Sequence, residues 1–443
     1  MWNIFGKRHA GSASGSRIYM DYASATPVLP EAARAVADAE RTFGNPGSIH
    51  KEGVAAARLL EDSREGIARE IGCKAREIVF TSGGTEANNL AILGFARAIQ
   101  RSGFGAKEQR SDLGYSQDPT FANPLTHTHW LVSSIEHPSV LECFGEIERL
   151  AGTVDFIDPD KNGIIQPETV ARMLRPETVF ISVGWGNGEI GTIQPLARIA
   201  RILREHEEKY PSTNSTGSSR ASSGQARRII FHTDAGQAPL YEAAHVHSLG
   251  IDMLTLDSGK LYGPRGIGAL YLHDRVKLAS TQLGGKQERG LRAGTESVAL
   301  ASGFAAALTM VAAERAVESE RLGKLRHSFA RELRARIPGL VLNGDKDAAL
   351  PHILNISIPD INSEYLVLAL DHAGIALSTK SACREGEEQR SHVVEALGDA
   401  MNAASSVALA KEERSRNTLR FSFGRKTVQK DIDRALETLV RFV

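Results

Sequence analysis

The sequence predicts an α/β protein in which a mainly parallel sheet lies between helices, followed by a smaller α+β region at the C-terminal end. Three observations lead to this prediction. From Leu29 onward, short apolar runs alternate with helix-like stretches, which is typical of parallel strands joined by helices. The chain has 443 residues, enough for two or three domains. Beyond Val298 a long Ala/Arg/Glu-rich helical stretch replaces the alternation.

The first region contains five helix-like stretches and six apolar runs. The predicted helices are Pro30–Thr42, Val54–Ile71, Glu86–Gln100, Ser139–Ala151 and Pro195–Glu207. The predicted strands are Glu77–Phe80, Trp130–Ser133, Val154–Ile157, Val179–Val183, Ile229–His232 and Met253–Leu256. Runs that are apolar throughout suit strands buried on both faces, so we expect helices on both sides of the sheet.

The C-terminal region begins with a helix predicted from Val298 to about Ile337. The further predicted elements are strands at Leu340–Asn343, Ile353–Ile358, Ile375–Ser378 and Leu419–Phe423, and a helix near Glu364–His372. We therefore expect a flexible extension at 1–18, a large domain at 19–297 and a small domain at 298–443. Two polar segments rich in Gly and Ser, at 102–129 and 210–227, are predicted surface loops.

The composition excludes several classes of function. Lys+Arg and Asp+Glu both number 53, so no basic surface for nucleic acid is expected. No segment reads as long and apolar enough for a membrane span, and the first residues lack the apolar run of a signal peptide. The three cysteines, Cys73, Cys143 and Cys383, form no Cys-x-x-Cys pair, so neither a metal site nor a disulfide framework is predicted. These features favour the reducing cytoplasm.

Lys260 is the first candidate site residue. It lies in a Gly- and Pro-containing loop between two apolar runs that end at Leu256 and begin at Ile267. A lysine at the end of a buried strand loses its proton more easily, and its neutral amine can form a Schiff base with a carbonyl compound. The alternative is a solvated lysine in an ordinary turn.

Three more candidates follow predicted strands. The segment Thr81-Ser82-Gly83-Gly84-Thr85 opens a helix, where free N–H groups suit a phosphate, although a simple helix cap is equally compatible. Asp234 needs a partner if it is buried, such as a protonated pyridine nitrogen, or it is a hydrogen-bonded loop residue. His137 could stack on a flat ring and transfer protons, or it could simply start a helix.

Two candidates lie in the C-terminal region. Cys383 stands in a polar segment beside Arg384, which favours an exposed thiolate, whereas Cys143 reads as a core residue and Cys73 as incidental. Arg420 alternates with apolar residues, so its side chain is predicted to point inward. A buried arginine seeks a carboxylate, either from a ligand or from an internal salt bridge.

The order of these motifs resembles the fold-type I, class V aminotransferase-like enzymes that use pyridoxal 5'-phosphate, above all cysteine desulfurases of the NifS/IscS kind. The resemblance runs from Tyr19-Met20-Asp21-Tyr22-Ala23 and Phe43-Gly44-Asn45-Pro46-Gly47 to Arg420-Phe421-Ser422-Phe423-Gly424. It implies a cysteine desulfurase that converts L-cysteine to L-alanine and leaves the sulfur on the enzyme as a persulfide. The implied partners are a second copy of the chain and a sulfur acceptor such as an iron–sulfur scaffold.

The resemblance also implies a role for each candidate. Lys260 would hold the cofactor and move protons, Asp234 would pair with the ring nitrogen, and His137 would stack on the ring. Further implied roles are phosphate binding by Gly84 and Thr85, a contact of Gln237 with the ring oxygen, a phosphate contact of Thr295 across a dimer, substrate carboxylate binding by Asn187 and Arg420, and sulfur attack by Cys383. Other class V activities, selenocysteine lyase or aminotransferase, stay open, as does a weakly active sulfur carrier.

This sequence departs from the family pattern at five positions. Gly188 stands where an Asn is usual, and Asp257 and Gly259 replace the Ser and His that contact phosphate in many members. Gln287 replaces a common His, and Lys380 replaces a frequent Gly before Ser381-Ala382-Cys383. Asp257 would repel a phosphate if its side chain pointed there.

Overall fold

The computed structural model describes residues 17–103, 123–210, 228–379, 390–397 and 411–443. Several features lie outside the described residues. They are Cys383, Lys380, most of the extension at 1–18 and most of the two polar segments at 102–129 and 210–227. The strands are β1 (Ile18–Tyr19), β2 (Ile78–Thr81), β3 (His129–Ser133), β4 (Thr153–Ile157), β5 (Thr178–Ser182), β6 (Ile230–Asp234), β7 (Met253–Asp257), β8 (Gly268–Leu272), β9 (Val341–Asn343), β10 (Ile353–Ser357), β11 (Ile375–Ala376) and β12 (Thr418–Ser422). The α-helices are α1 (Pro30–Ala39), α2 (Lys51–Ile71), α3 (Gly84–Gly103), α4 (Pro138–Arg149), α5 (Pro167–Met173), α6 (Leu196–Lys209), α7 (Val246–Leu249), α8 (Val298–Arg336), α9 (Ser363–His372), α10 (His392–Ala396), α11 (Lys411–Arg416) and α12 (Gln429–Phe442).

Seven strands form the central sheet in the order β2-β8-β7-β6-β5-β3-β4. All neighbours are parallel except β8, which runs antiparallel to both β2 and β7. All five residues of β3, β5 and β8 are buried, as expected for strands covered on both faces. The predicted α/β class with a mainly parallel sheet is therefore confirmed.

Alternate residues of the strands serve two different cores. Phe231 and Leu254 pack into the larger core, together with apolar residues of α2, α6 and α8. Trp130 and Phe180 point to the other face, where their rings stack 5.0 Å apart under α3 and α4. Because successive strand residues point to opposite faces, continuous apolar runs can supply both cores at once.

The sheet brings several candidate residues to one edge. Asp234 ends β6, Lys260 follows β7, and His137 stands four residues after β3. The carboxyl ends of parallel strands share one edge, where ligands bind in open α/β sheets. Three residues from a stretch of more than 120 positions are thus placed at the same edge of the sheet.

The C-terminal region contains a three-stranded antiparallel sheet in the order β12-β10-β9. β1, near the start of the described chain, pairs in parallel with β11. The backbone of Met20 continues this contact, because its N–H donates to Ala376 and its carbonyl accepts from Ser422. The helix α12 was not among the predicted elements, and the proposed domain division at residue 298 stays a prediction.

Helix α8 has the length and hydropathy of a membrane span. By length and composition, therefore, the expectation that no such segment exists was wrong. Its buried residues, such as Phe304 and Phe329, belong to the larger core, and it packs against α1 and α2. The approach to α1 is close, since a Cβ on Gly303 would lie 2.5 Å from Cγ2 of Val36. The apolar side of α8 is thus used within the protein.

Candidate active site

Lys260 ends a short 3-10 turn, Ser258–Lys260, between the antiparallel strands β7 and β8. The predicted order of strand, tight loop and strand is correct. Its amine lies beside Gly236, where an added Cβ would be 3.6 Å from Nζ of Lys260 and 3.2 Å from Oδ1 of Asp234. The absence of a side chain at Gly236 leaves space where the lysine and the aspartate approach one another.

Asp234 is held by two hydrogen bonds. Nδ2 of Asn88 donates to Oδ2 at 2.8 Å, and the backbone N–H of Gly236 donates to Oδ1 at 2.9 Å. Burial acts to raise the pKa of Asp234, but the positive charge of Lys260 and the Asn88 hydrogen bond outweigh it and hold the pKa below its usual value. The carboxylate is therefore ionised and available to a cationic partner.

His137 caps the start of α4. Its Nδ1 accepts from the N–H of Ser139 at 3.2 Å and lies 2.8 Å from Oγ of Ser139. Burial and the nearby charge of Lys260 lower the pKa of His137 to about 4. The imidazole is thus neutral at pH 7, which suits a flat ring in a desolvated cleft, while proton transfer by this residue near neutral pH stays a prediction.

These residues line one cleft, which with its open mouth holds about 490 Å³ of space free of protein atoms. Its walls are formed by Ile135, Glu136, His137, Gly184, Gly186, Asn187, Gly188, Gln194, Asp234, Gly236, Gln237 and Lys260. Five of the predicted site residues, at 137, 187, 234, 237 and 260, therefore meet in a single cleft. A concave site in which a few polar groups converge is the usual form of a small-molecule site.

Gln237 and Asn187 are fixed by neighbouring groups. Nε2 of Gln237 donates to the carbonyl of Ala23 at 2.7 Å, and its Oε1 lies 3.1 Å from Nε2 of His352. Nδ2 of Asn187 donates to the carbonyl of Ile135 at 2.9 Å. Each amide nitrogen carries two hydrogens, and the described residues supply an acceptor for one hydrogen of each.

Arg420 on β12 is 2% exposed and forms the internal salt bridge that the sequence left as an alternative. Its Nη2 donates to Oδ1 of Asp21 at 2.8 Å and to Oγ of Ser24 at 2.6 Å. Its Nη1 donates to the carbonyl of Gly188 at 3.1 Å, which places the guanidinium behind the wall of the cleft. No acceptor within the described part of the chain bonds its Nε.

The predicted phosphate cradle is at the start of α3, with Gly84 buried and Thr85 exposed. The N–H of Gly84 donates to Oδ2 of Asp257 at 3.2 Å. Asp257 therefore points at the cradle. This is the orientation in which its carboxylate is expected to repel a phosphate. Thr295 is exposed and does not line the cleft.

The comparisons with known proteins cover nearly the whole chain. The model of the family "Aminotransferase class-V" matches residues 18–104, 120–210 and 220–435. The chain belongs to this family. The resemblance inferred from the motifs is confirmed.

Class V relatives of this chain include cysteine desulfurases IscS from two organisms. The protein from Dictyoglomus turgidum is 34% identical over 427 residues, which covers 96% of this chain and 94% of the relative. The protein from Archaeoglobus fulgidus, IscS 1, is 35% identical over 422 residues, or 95% of each chain. A solved NifS-like protein has the same fold, with a TM-score of 0.78, 24% identity and coverage of 96% of this chain and 99% of that one.

Three site residues of this class V chain were missed at the sequence level. Glu136 is buried in the wall of the cleft, Asn88 donates to Asp234, and Asp21 accepts from Arg420. Asn88 could have been found, because it follows Gly84 by four residues and so lies on the same helix face. The sequence carries no local signal for the pairing of Asp21 and Arg420, which are 399 positions apart.

Proposed function

We propose that the protein is a pyridoxal 5'-phosphate-dependent cysteine desulfurase of the cytoplasm. The observation that carries the proposal is the meeting of an ionised Asp234, a neutral His137 and the amine of Lys260 in one cleft. The naming of full-length relatives as cysteine desulfurases supports the same reaction. These groups fit a flat cationic ring that carries an aldehyde, whereas the fit at the phosphate end is limited by Asp257.

The cofactor, when bound, withdraws electrons from the substrate carbon atoms. The residues of this chain orient the cofactor and the substrate, and they move protons. Asp234 would pair with the ring nitrogen, His137 would pack against the ring, and the Lys260 amine would take and return protons at the substrate α-carbon. Arg420 and the second Nδ2 hydrogen of Asn187 bind the substrate carboxylate, for which Arg420 exchanges part of its bond to Asp21.

The sulfur step requires a thiolate. The Cys383 thiolate attacks the substrate sulfur, an S–S bond forms while the carbon–sulfur bond breaks, and protonation of that carbon gives L-alanine. L-cysteine and a thiol thereby yield L-alanine and a persulfide, so atoms and electrons balance. Burial raises the pKa of both Cys73 and Cys143 to about 12, which makes these two thiols poor nucleophiles.

The proposal includes two partners. A homodimer would bring Thr295 of one copy toward the phosphate of the other, since a two-fold interface is reciprocal. The persulfide would pass to an acceptor protein, such as an iron–sulfur scaffold. Both partners follow from the family pattern, and the exposure of Thr295 is compatible with the dimer.

The test measures sulfide and alanine released from L-cysteine in the presence of a reducing thiol. We expect equal amounts of both products from the unmodified protein. Cys383→Ser should bind cofactor and substrate yet release no sulfide, while Cys73→Ser should retain full activity. Full activity of Cys383→Ser would overturn the assignment of the nucleophile. Faster turnover of L-selenocysteine, or amino transfer to an α-keto acid, would replace the proposed reaction by another class V activity.

A further inference from the structure

Asp257 occupies an unusual position at the end of β7. Its carboxylate bridges two backbone N–H groups, with Oδ2 accepting from Gly84 at 3.2 Å and Oδ1 accepting from Gly259 at 2.9 Å. Oδ2 lies 3.2 Å from the position that a Cβ on Gly84 would occupy. The carboxylate thus lies directly against the first residue of α3.

The start of α3 is well suited to an anion. The first N–H groups of a helix have no partner within the helix, and the helix dipole favours negative charge there. One turn later on the same helix, Asn88 donates to Asp234 at 2.8 Å. The carboxylate that would hold the ring nitrogen is thus bonded to the same helix whose start would hold the phosphate.

We propose that Asp257 is a resident anion that competes with the cofactor's phosphate for the start of α3. This inference rests on the proposed function. A phosphate and a carboxylate are both acceptors and carry like charges, so they cannot share the Gly84 N–H without repulsion. If Asp257 turns away, its hydrogen bonds to Gly84 and Gly259 are lost. In either arrangement the phosphate contributes less binding free energy in this chain than in a chain with a neutral residue at position 257.

The consequence is a change in cofactor selectivity. Pyridoxal and pyridoxal 5'-phosphate share the ring and the aldehyde, and they differ in the phosphate alone. The contacts of Asp234, His137 and Lys260 should therefore be available to both compounds. The preference for the phosphorylated form should be small in this chain and should increase when the charge at Asp257 is removed.

A purely structural role for Asp257 makes a different prediction. Its Oδ1 caps the turn that carries Lys260, so loss of the cap would weaken the binding of both compounds equally. Asp257→Asn separates the two roles, because the amide oxygen still accepts from Gly259 while the charge is gone. Asp257→Ser serves as a second neutral variant. Asp345→Asn is the matched control, since Oδ1 of Asp345 also accepts two backbone N–H groups, at 2.8 and 2.7 Å, in a loop away from the cleft.

The experiment titrates cofactor-free protein with pyridoxal 5'-phosphate and with pyridoxal, following the visible absorbance of the lysine-bound compound. We expect Asp257→Asn to lower the Kd of the phosphorylated form about 10-fold, which equals about 1.4 kcal/mol. The Kd of pyridoxal should change by less than about 2-fold, as should both values in Asp345→Asn.

Three outcomes would contradict the inference. An unchanged ratio of the two Kd values in both Asp257 variants would show that the carboxylate does not compete with the phosphate. A parallel loss of affinity for both compounds would assign Asp257 a structural role. Failure of every protein to bind either compound would overturn the proposed function, and the inference with it. The first two outcomes leave the proposed function intact, so the two failures are distinguishable.

Discussion

Glu136→Gln should make the protein's stability less sensitive to alkaline pH. Glu136 is 5% exposed, and its Oε1 accepts from the N–H of Gly184 at 2.7 Å. Burial, with a further contribution from the charge of Asp234, raises the pKa of Glu136 from 4.5 to about 8. The folded protein therefore keeps a neutral carboxyl group at pH 7, where an unfolded chain would carry a carboxylate.

The sign and size of the effect follow from this difference in pKa. Because the folded pKa is the higher one, the contribution of Glu136 to stability is fully present below pH 4.5. It decreases as the pH rises and is lost once the pH passes about 8. At about 1.36 kcal/mol for each pKa unit, the change amounts to at most about 5 kcal/mol. The glutamine does not titrate and keeps an acceptor for Gly184, so its contribution should not depend on pH.

The measurement is the free energy of unfolding by urea at pH 5, 6, 7, 8 and 9. Trp130 and Trp185 are buried, so their fluorescence reports the transition. The variant and the unmodified protein should have similar stability at pH 5 and diverge toward pH 9, with the variant more stable. Glu146→Gln, at a half-exposed position of α4, is the control and should follow the unmodified protein. Parallel curves for Glu136→Gln and the unmodified protein would refute the reasoning.

Three further predictions concern the cofactor, the substrate and the assembly. Lys260→Ala should lose the visible band of the lysine-bound cofactor, and a borohydride-reducible band in this variant would show that another lysine carries it. Gly188→Asn should raise kcat/KM for sulfide release roughly 10- to 150-fold, the equivalent of about 1.5–3 kcal/mol for a hydrogen bond to a charged group. A Cβ at position 188 would lie 3.6 Å from Gln237, which is an ordinary van der Waals contact. An unchanged or lower kcat/KM at matched cofactor content would therefore contradict the prediction. Sedimentation should give a dimer, and an active monomer would exclude a site shared through Thr295.

The sequence determined the elements and their order because these depend on local patterns. Apolar runs such as Met253–Leu256 and the Gly- and Pro-containing loop after them predict two strands and the place of Lys260 without knowledge of any partner. The same holds for the start of α3, where the Gly-Gly pair lies directly before a helical stretch. Predicted boundaries differ from the observed ones by a few residues, as for Pro30–Thr42 against Pro30–Ala39.

The order of the motifs also determined the family, because the positions of Asp234 and Lys260 along the chain are recorded in the sequence itself. The protonation states of the site residues could not be predicted from the sequence. The neutral state of His137 depends on burial and on the charge of Lys260, which no local pattern encodes. The same applies to the protonated Glu136, whose raised pKa requires both burial and the nearby Asp234.

The tertiary structure alone decided which charges meet. Arg420 pairs with Asp21 because β1 joins the C-terminal region through β11, a contact between segments more than 350 residues apart. Asp257 points at Gly84 because β8 lies between β7 and β2, which brings the ends of β7 and β2 to the start of α3. Propensity and periodicity act over a few residues, whereas the energy of a charge depends on every group within several ångströms. The sequence thus predicts the residues of the site, and the fold sets their protonation and their partners.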